Sequence, residues 1–160
     1  MRPTRRDSSF MAFSISRSRP IAAAFALACA LAVLATGCHR EPFPHVKVSG
    51  SVKYDDGSLI PAHSLEVMFN PQAAPKNKTT FPRIGHAEVD IATGAFTSVT
   101  TTQPNDGVVA GKHKVTLRAY LASGEISPAV PEEYGDVTKT PLEVDTAQPV
   151  FHLTVKKPSS

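Results

Sequence analysis

The sequence predicts an all-β fold: a single antiparallel β-sandwich of seven strands, spanning residues 46–157. Three observations carry this reading. Apolar and polar residues alternate with a period of two in seven short segments, the pattern of strands with one buried face. Turn-forming clusters separate the segments. After residue 38 no stretch repeats its apolar residues at helical spacing. Seven such strands in about 110 residues suit two packed antiparallel sheets.

The elements follow in order. Val46, Val48, Gly50, Val52 and Tyr54 alternate with Lys47, Ser49, Ser51 and Lys53, and Asp55-Asp56-Gly57-Ser58 turns the chain. Leu65, Val67 and Phe69 form a second strand, which Asn70-Pro71 ends. Residues 71–82 hold three prolines and two lysines and read as a loop. Ala87, Val89 and Ile91 make a third strand. Ala92-Thr93-Gly94 turns it into a fourth, Ala95 to Thr101, carrying Phe96. Residues 103–111 contain Pro-Asn-Asp-Gly and read as a loop. The clearest alternation follows, with His113, Val115, Leu117, Ala119 and Leu121 on one face. Residues 123–140 form a long ordered loop with a helical turn near Glu132. Leu142 with Val144, then Phe151 with Leu153 and Val155, supply the last two strands.

Ahead of this domain lies an export signal. Arg2, Arg5, Arg6, Arg17 and Arg19 precede the apolar run from Ile21, which ends in small residues. A cationic leader, a short apolar core and a small-residue exit define a secretory signal helix, cleaved from the mature chain. A membrane span needs about 18 or more apolar residues, and this run is shorter. Met11 is an alternative start, since residues 11–20 suffice as the basic leader. Ala35-Thr36-Gly37-Cys38 resembles the bacterial lipobox, with Ala35 where leucine is usual and Leu34 one place earlier. That resemblance implies a signal over 1–37, a lipidated Cys38, and a short Pro-containing tether over 38–45. The partner is then a membrane, held through acyl chains that each add about 0.8 kcal/mol of affinity per buried methylene. His39 follows the cysteine where aspartate would retain the protein at the inner membrane. By the same resemblance this favours the outer membrane, with the domain facing the periplasm or the cell surface.

The formal charge of +3 is misleading about partners. From His39 onward there are twelve Lys and Arg against thirteen Asp and Glu, a net −1. No basic block suited to phosphate backbones appears, so nucleic acid is excluded as a partner. Cys38 is the only cysteine after the signal, which removes disulfides, thiol nucleophiles and cysteine metal sites. Tryptophan is absent, so a sugar platform would have to use Tyr54, Tyr120, Tyr134 or a phenylalanine.

V-S-G-S-V-K-Y-D-D-G-S-L-I-P (48–61) resembles the opening of carboxypeptidase regulatory-like domains. L-E-V-M-F-N-P (65–71), D-I-A-T-G-A-F (90–96) and D-G-V-V-A-G-K-H-K-V-T-L (106–117) follow in that family's order, with His113 where tyrosine is usual. V-P-E-E-Y-G-D-V-T-K-T-P-L-E-V (130–144) is similar to a segment of small secreted planctomycete-type lipoproteins that carry this domain. The resemblance implies a transthyretin-like sandwich and a non-catalytic module. Fold likeness alone supplies no function.

The remaining constellations favour structural roles. Six histidines lack the spacing of a zinc or copper site. The aspartates fall at turns, where their side chains bond the backbone. No serine has the surroundings of a nucleophile, and Glu132-Glu133 reads as a solvated turn. The final strand offers no Asn or Asp for an isopeptide crosslink to Lys47 or Lys53. The expectation is therefore no enzyme, no metal and no cofactor. Tyr134 is expected to pack its ring at the sandwich edge and hydrogen-bond through its hydroxyl. Tyr134 and Asp106 are the candidate ligand-binding residues. The functional expectation is an envelope lipoprotein with a structural or interaction module. Its partners are other envelope proteins, met through loops 71–82, 103–111 and 123–140 or by strand addition at an edge. The alternative is an accessory lipoprotein binding glycans or small ligands. An exported transthyretin-like hydrolase fits less well, because the chain ends Lys-Lys-Pro-Ser-Ser.

Overall fold

A computed structural model describes residues 41–158, so the export signal, Cys38 and His39 lie outside the described residues. The described chain is all-β apart from one 3₁₀ turn at Glu132–Gly135. Nine strands form: β1 (His45–Val46), β2 (Ser49–Tyr54), β3 (Ser64–Pro71), β4 (Gly85–Val89), β5 (Ala95–Phe96), β6 (Val108–Val109), β7 (Lys112–Tyr120), β8 (Glu143–Asp145) and β9 (Val150–Val155).

Seven of them build two larger sheets, ordered β5-β2-β9 and β4-β3-β7-β8, and each expected strand segment contains one of the seven. The other two, β1 and β6, pair with each other. Two expectations are corrected by this pair. The loop over 103–111 contains β6. The tether over 38–45 is no free linker at its far end, because His45 pairs with Val109 and the Phe43 side chain is buried. Burying an aromatic ring and closing a ladder outweighs the freedom of a short Pro-rich segment. Gly107 makes the approach possible. Its φ is 91°, and a Cβ there would lie 2.1 Å from the Val46 carbonyl oxygen.

A third correction concerns direction. All ladders run antiparallel except β2 with β9, which is parallel from Ser49↔Val150 to Tyr54↔Val155. The first long strand and the last therefore start at the same end of the molecule.

The faces follow from alternation. Along β2, Val52 and Tyr54 are buried; along β3, Leu65, Val67 and Phe69; along β9, Phe151, Leu153 and Val155. These side chains meet in one core cluster with Val89, Phe96, Val115 and Leu117. Phe69 lies at its centre, with ring centroids of Phe96 and Phe151 each 5.7 Å away and the His113 ring edge-on at 6.2 Å. Leu121 and Ile91, expected to continue this face, are 41% exposed, because their strands end one or two residues earlier.

The pairings define two poles. Glu41–Val46, residues 72–84 and the segment around Thr101–Gly111 gather at one: Gly85 pairs with Phe69, the Gln72 N–H bonds the Lys112 carbonyl, and Thr102 donates to the Glu41 carboxylate. The turns at Asp55–Ser58 and Asp90–Gly94, the loop after Tyr120 and the end of β9 gather at the other: Tyr120 pairs with Ser64 and Val155 with Tyr54.

Candidate interaction site

The loop that leaves β7 at Tyr120 folds back along its own strand. A tight turn bonds Leu121 N–H to the Glu125 carbonyl, with Gly124 at φ 87°. Ser127 N–H then bonds the Ala119 carbonyl at 2.8 Å. Two tyrosines pin the loop from below. The Tyr54 hydroxyl donates to the Ala129 carbonyl at 2.7 Å, and the Tyr134 hydroxyl accepts the Lys156 N–H at 2.9 Å. Tyr134 thus has the buried ring and bonded hydroxyl expected of it. At 4% exposure its ring offers no open face, so ligand stacking by Tyr134 is corrected to a packing role.

Two grooves flank this loop. One, of about 400 Å³, lies between β7 and the 3₁₀ turn, walled by Ile126, Val130 and Pro131 and rimmed by Arg118, Glu132 and Asp136. The other, wider and about 670 Å³, is walled by Leu59, Leu121 and Pro128, with Tyr54 at its base and Lys157 at its rim. Ile126 is 72% exposed, a large apolar side chain that the domain leaves in water.

The floor of the first groove is the flank of β7 beyond β8. Gln72 bonds Lys112, so the even residues of β7 direct their backbone groups at β3 and the odd ones point away. β8 covers only Lys112 to Lys114. Beyond it, the Val115 N–H bonds the Leu142 carbonyl and the Thr140 hydroxyl donates to the Val115 carbonyl. The Ala119 carbonyl takes Ser127. Leu117 lies between, and no loop backbone among the described residues bonds it, but it is 1% exposed and Gly135 of the 3₁₀ turn lies over its carbonyl. The groove therefore offers apolar walls rather than a strand edge.

Two segments carry charge of a single sign. Residues 119–138 hold Glu125, Glu132, Glu133 and Asp136 and no Lys or Arg. Residues 67–87 hold Lys76, Lys78 and Arg83 and no Asp or Glu. At the pole where β9 ends, the Lys157 ammonium lies 2.7 Å from Asp56 and 5.6 Å from the centre of the Tyr54 ring. That ammonium and the Ser58 hydroxyl hold the Asp56 carboxyl far below the usual range, and Asp56 in turn raises Lys157. Burial pushes the Tyr54 phenol up against the opposing pull of Lys157.

Asp106 belongs to the opposite pole and is consumed by it. Its carboxylate accepts N–H groups from Thr101, Thr102 and Gln103 at 2.7–2.9 Å, with the His45 ring 3.3 Å away. It locks the loop that carries β6. Burial pulls this carboxyl upward, and the N–H groups of Gln103, Thr101 and Thr102 outweigh it, so it titrates below the ordinary value. A depressed carboxyl contributes stability above its unfolded pKa and loses it as pH falls through the folded one. Asp106→Asn is therefore expected to cost about 1–2 kcal/mol near neutrality. It should also flatten the acid limb of stability against pH, as measured by denaturant titration at several pH values.

The other acidic side chains serve turns. Asp56, Asp90, Asp136 and Asp145 each accept the backbone N–H two residues on. His63, His86 and His152 are exposed, whereas His113 is buried and its Nε2 lies 2.6 Å from the Val109 carbonyl. Burial holds that imidazole below its ordinary pKa. Among the described residues no three His, Cys, Asp or Glu side chains gather as a metal site. None of the described helices is long and apolar enough to cross a membrane.

Comparison with known proteins yields no match among family models, curated proteins or solved structures. The likeness to carboxypeptidase regulatory-like domains thus stands on the motifs alone.

Proposed function

We propose that this is a lipid-anchored, non-catalytic module of a bacterial envelope, held through Cys38 and presenting an interaction groove beside the loop that follows β7. In this reading the two larger sheets stack as a transthyretin-like sandwich, and the protein sits at the outer membrane. The observation that carries the reading is the opposition of the two poles. The described chain begins at Glu41, three residues after Cys38 and no more than about 11 Å of extended chain from it. Glu41, Phe43 and His45 are tied to one pole by Thr102, by burial and by β6. The loop after Tyr120, with the exposed Ile126, lies at the other, and the groove runs from it along the flank of β7. A lipid on Cys38 would hold the first pole at the membrane and turn the groove outward.

The partner that suits this groove is a protein segment with apolar side chains, packed against Ile126, Val130 and Pro131. Basic flanks on that segment would meet Glu132 and Asp136. A photocrosslinking residue at position 126, in cells, tests this. The expected result is a discrete protein adduct that disappears when the same chain also carries Gly135→Val, which fills the groove. A label that stays unreacted, or one that reacts equally when the groove is filled, contradicts the groove as the site. A glycan adduct at position 126 would favour the carbohydrate-binding alternative.

A further inference from the structure

We propose that the pole formed by residues 72–84 is a seat for an anionic lipid surface, with Phe81 and Ile84 entering the headgroup boundary and Lys78 and Arg83 meeting lipid phosphates. Phe81 is 58% exposed and Ile84 52%, three residues apart in a segment with no acidic residue. No carboxylate among the described residues lies within ion-pair distance of Lys76, Lys78 or Arg83. Apolar side chains flanked by unpaired cations are the composition that binds a phospholipid interface. The cations are drawn to the negative surface and the apolar groups leave water.

The segment is held in place for this. Asn77 and Thr80 bridge across a small hairpin, with Lys76 N–H on the Thr80 carbonyl at 3.0 Å. The Asn77 carboxamide accepts both the backbone N–H and the hydroxyl of Thr79. The Lys76 ammonium lies 5.4 Å from the centre of the buried Phe43 ring, which ties the hairpin to the strand that leads back to Cys38. On the other side of Ile84, a Cβ on Gly85 would meet Thr101 and Val108 within 3 Å, so Ile84 adjoins the segment whose Thr102 holds Glu41. Phe81, Ile84 and the chain's exit toward Cys38 thus share one pole. The two carboxylates at this pole, Glu41 and Asp106, are bonded to Thr102 and to the N–H groups of Thr101, Thr102 and Gln103, and neither belongs to the 72–84 segment.

The seat rests on the proposed anchor for its proximity to a bilayer, and its chemistry is measured without the lipid. The core cluster draws only on residues from Val46 to Val155, so the 41–160 fragment is a self-contained test protein. Flotation with phosphatidylcholine vesicles, with and without phosphatidylglycerol, reads the partition coefficient directly. The fragment is expected to float with the anionic vesicles at low salt and to be released as salt screens the surface. Lys78→Glu with Arg83→Glu should lower partition at least about thirtyfold, from about 1 kcal/mol per cation removed. Phe81→Ser with Ile84→Ser should lower it about tenfold or more. Val137→Ser, an exposed apolar residue outside the 72–84 segment, should change nothing. All these positions are exposed, and an unchanged circular dichroism spectrum verifies the fold of each variant. Absence of binding to anionic vesicles at low salt, equal binding to neutral ones, or indifference to both double variants overturns the seat. The mass of the natural protein's Cys38 judges the anchor separately. A bare thiol with vesicle binding intact removes the anchor and keeps the seat, and a lipidated Cys38 with no binding does the reverse.

Discussion

Phe69→Ala is expected to cost about 3–5 kcal/mol, a large part of the stability of a domain this size, and to leave much of the purified protein unfolded at moderate denaturant. Phe69 is fully buried, and its ring is the meeting point of both larger sheets, touching Phe96 from β5, Phe151 from β9 and His113 from β7. Truncation removes the aromatic contacts and leaves a void ringed by side chains fixed on three strands, which cannot collapse into it. The loss should appear as a fall in the denaturant midpoint with the slope unchanged. A cost under about 1 kcal/mol would mean that the two sheets do not share this core.

Gly50→Ala should be comparably damaging for a different reason. Gly50 is paired with Phe96 on one side and Phe151 on the other. A Cβ there would lie 2.0 Å from the Phe151 carbonyl oxygen and 2.8 Å from the tip of the Phe96 ring. The nearest obstacle is backbone, so no rotamer change relieves it, and the parallel β2–β9 ladder must separate. A loss of about 3 kcal/mol or more is expected, with increased amide exchange along β9 as the local signature. Gly57→Ala makes the contrast, since a Cβ at Gly57 meets nothing within 4 Å and only the φ of 80° resists it. Its expected cost is about 1 kcal/mol. Equal effects at the two positions would contradict the close approach at Gly50.

Much of the fold is legible because burial leaves its mark every second residue. The buried faces of β2, β3, β4, β7 and β9 follow the alternation closely, and His113 sits on the apolar face that the pattern assigned to it. Direction is another matter. A strand alternates identically whether its neighbour runs parallel or antiparallel, so β9 beside β2 could not be read as parallel. Nor could β1 and β6, because two residues are too short to show a period, and their pairing depends on Gly107 admitting the Val46 carbonyl.

The candidate residues divide in the same way. The hydroxyl of Tyr134 finds a partner, as a buried tyrosine must. That partner, the Lys156 N–H, lies 22 residues further along the chain, and no local pattern names it. Asp106 was singled out as an acidic loop residue, and its three backbone bonds show a loop lock of the kind its Pro-Asn-Asp-Gly setting favours. The groove at Leu117 left no sequence signal, because it exists only where β8 stops short and the loop folds back through Ser127. The single-signed runs 67–87 and 119–138 are legible in the sequence, although a net charge of −1 after residue 38 conceals them.

The most direct measurement is intact-mass and peptide analysis of the protein recovered from bacterial membranes. The account predicts a mature chain that begins at Cys38 and carries a diacylglyceryl thioether, with both the added mass and the membrane association lost in Cys38→Ser. A mature protein recovered free of the membrane, with position 38 an unmodified thiol, would contradict it.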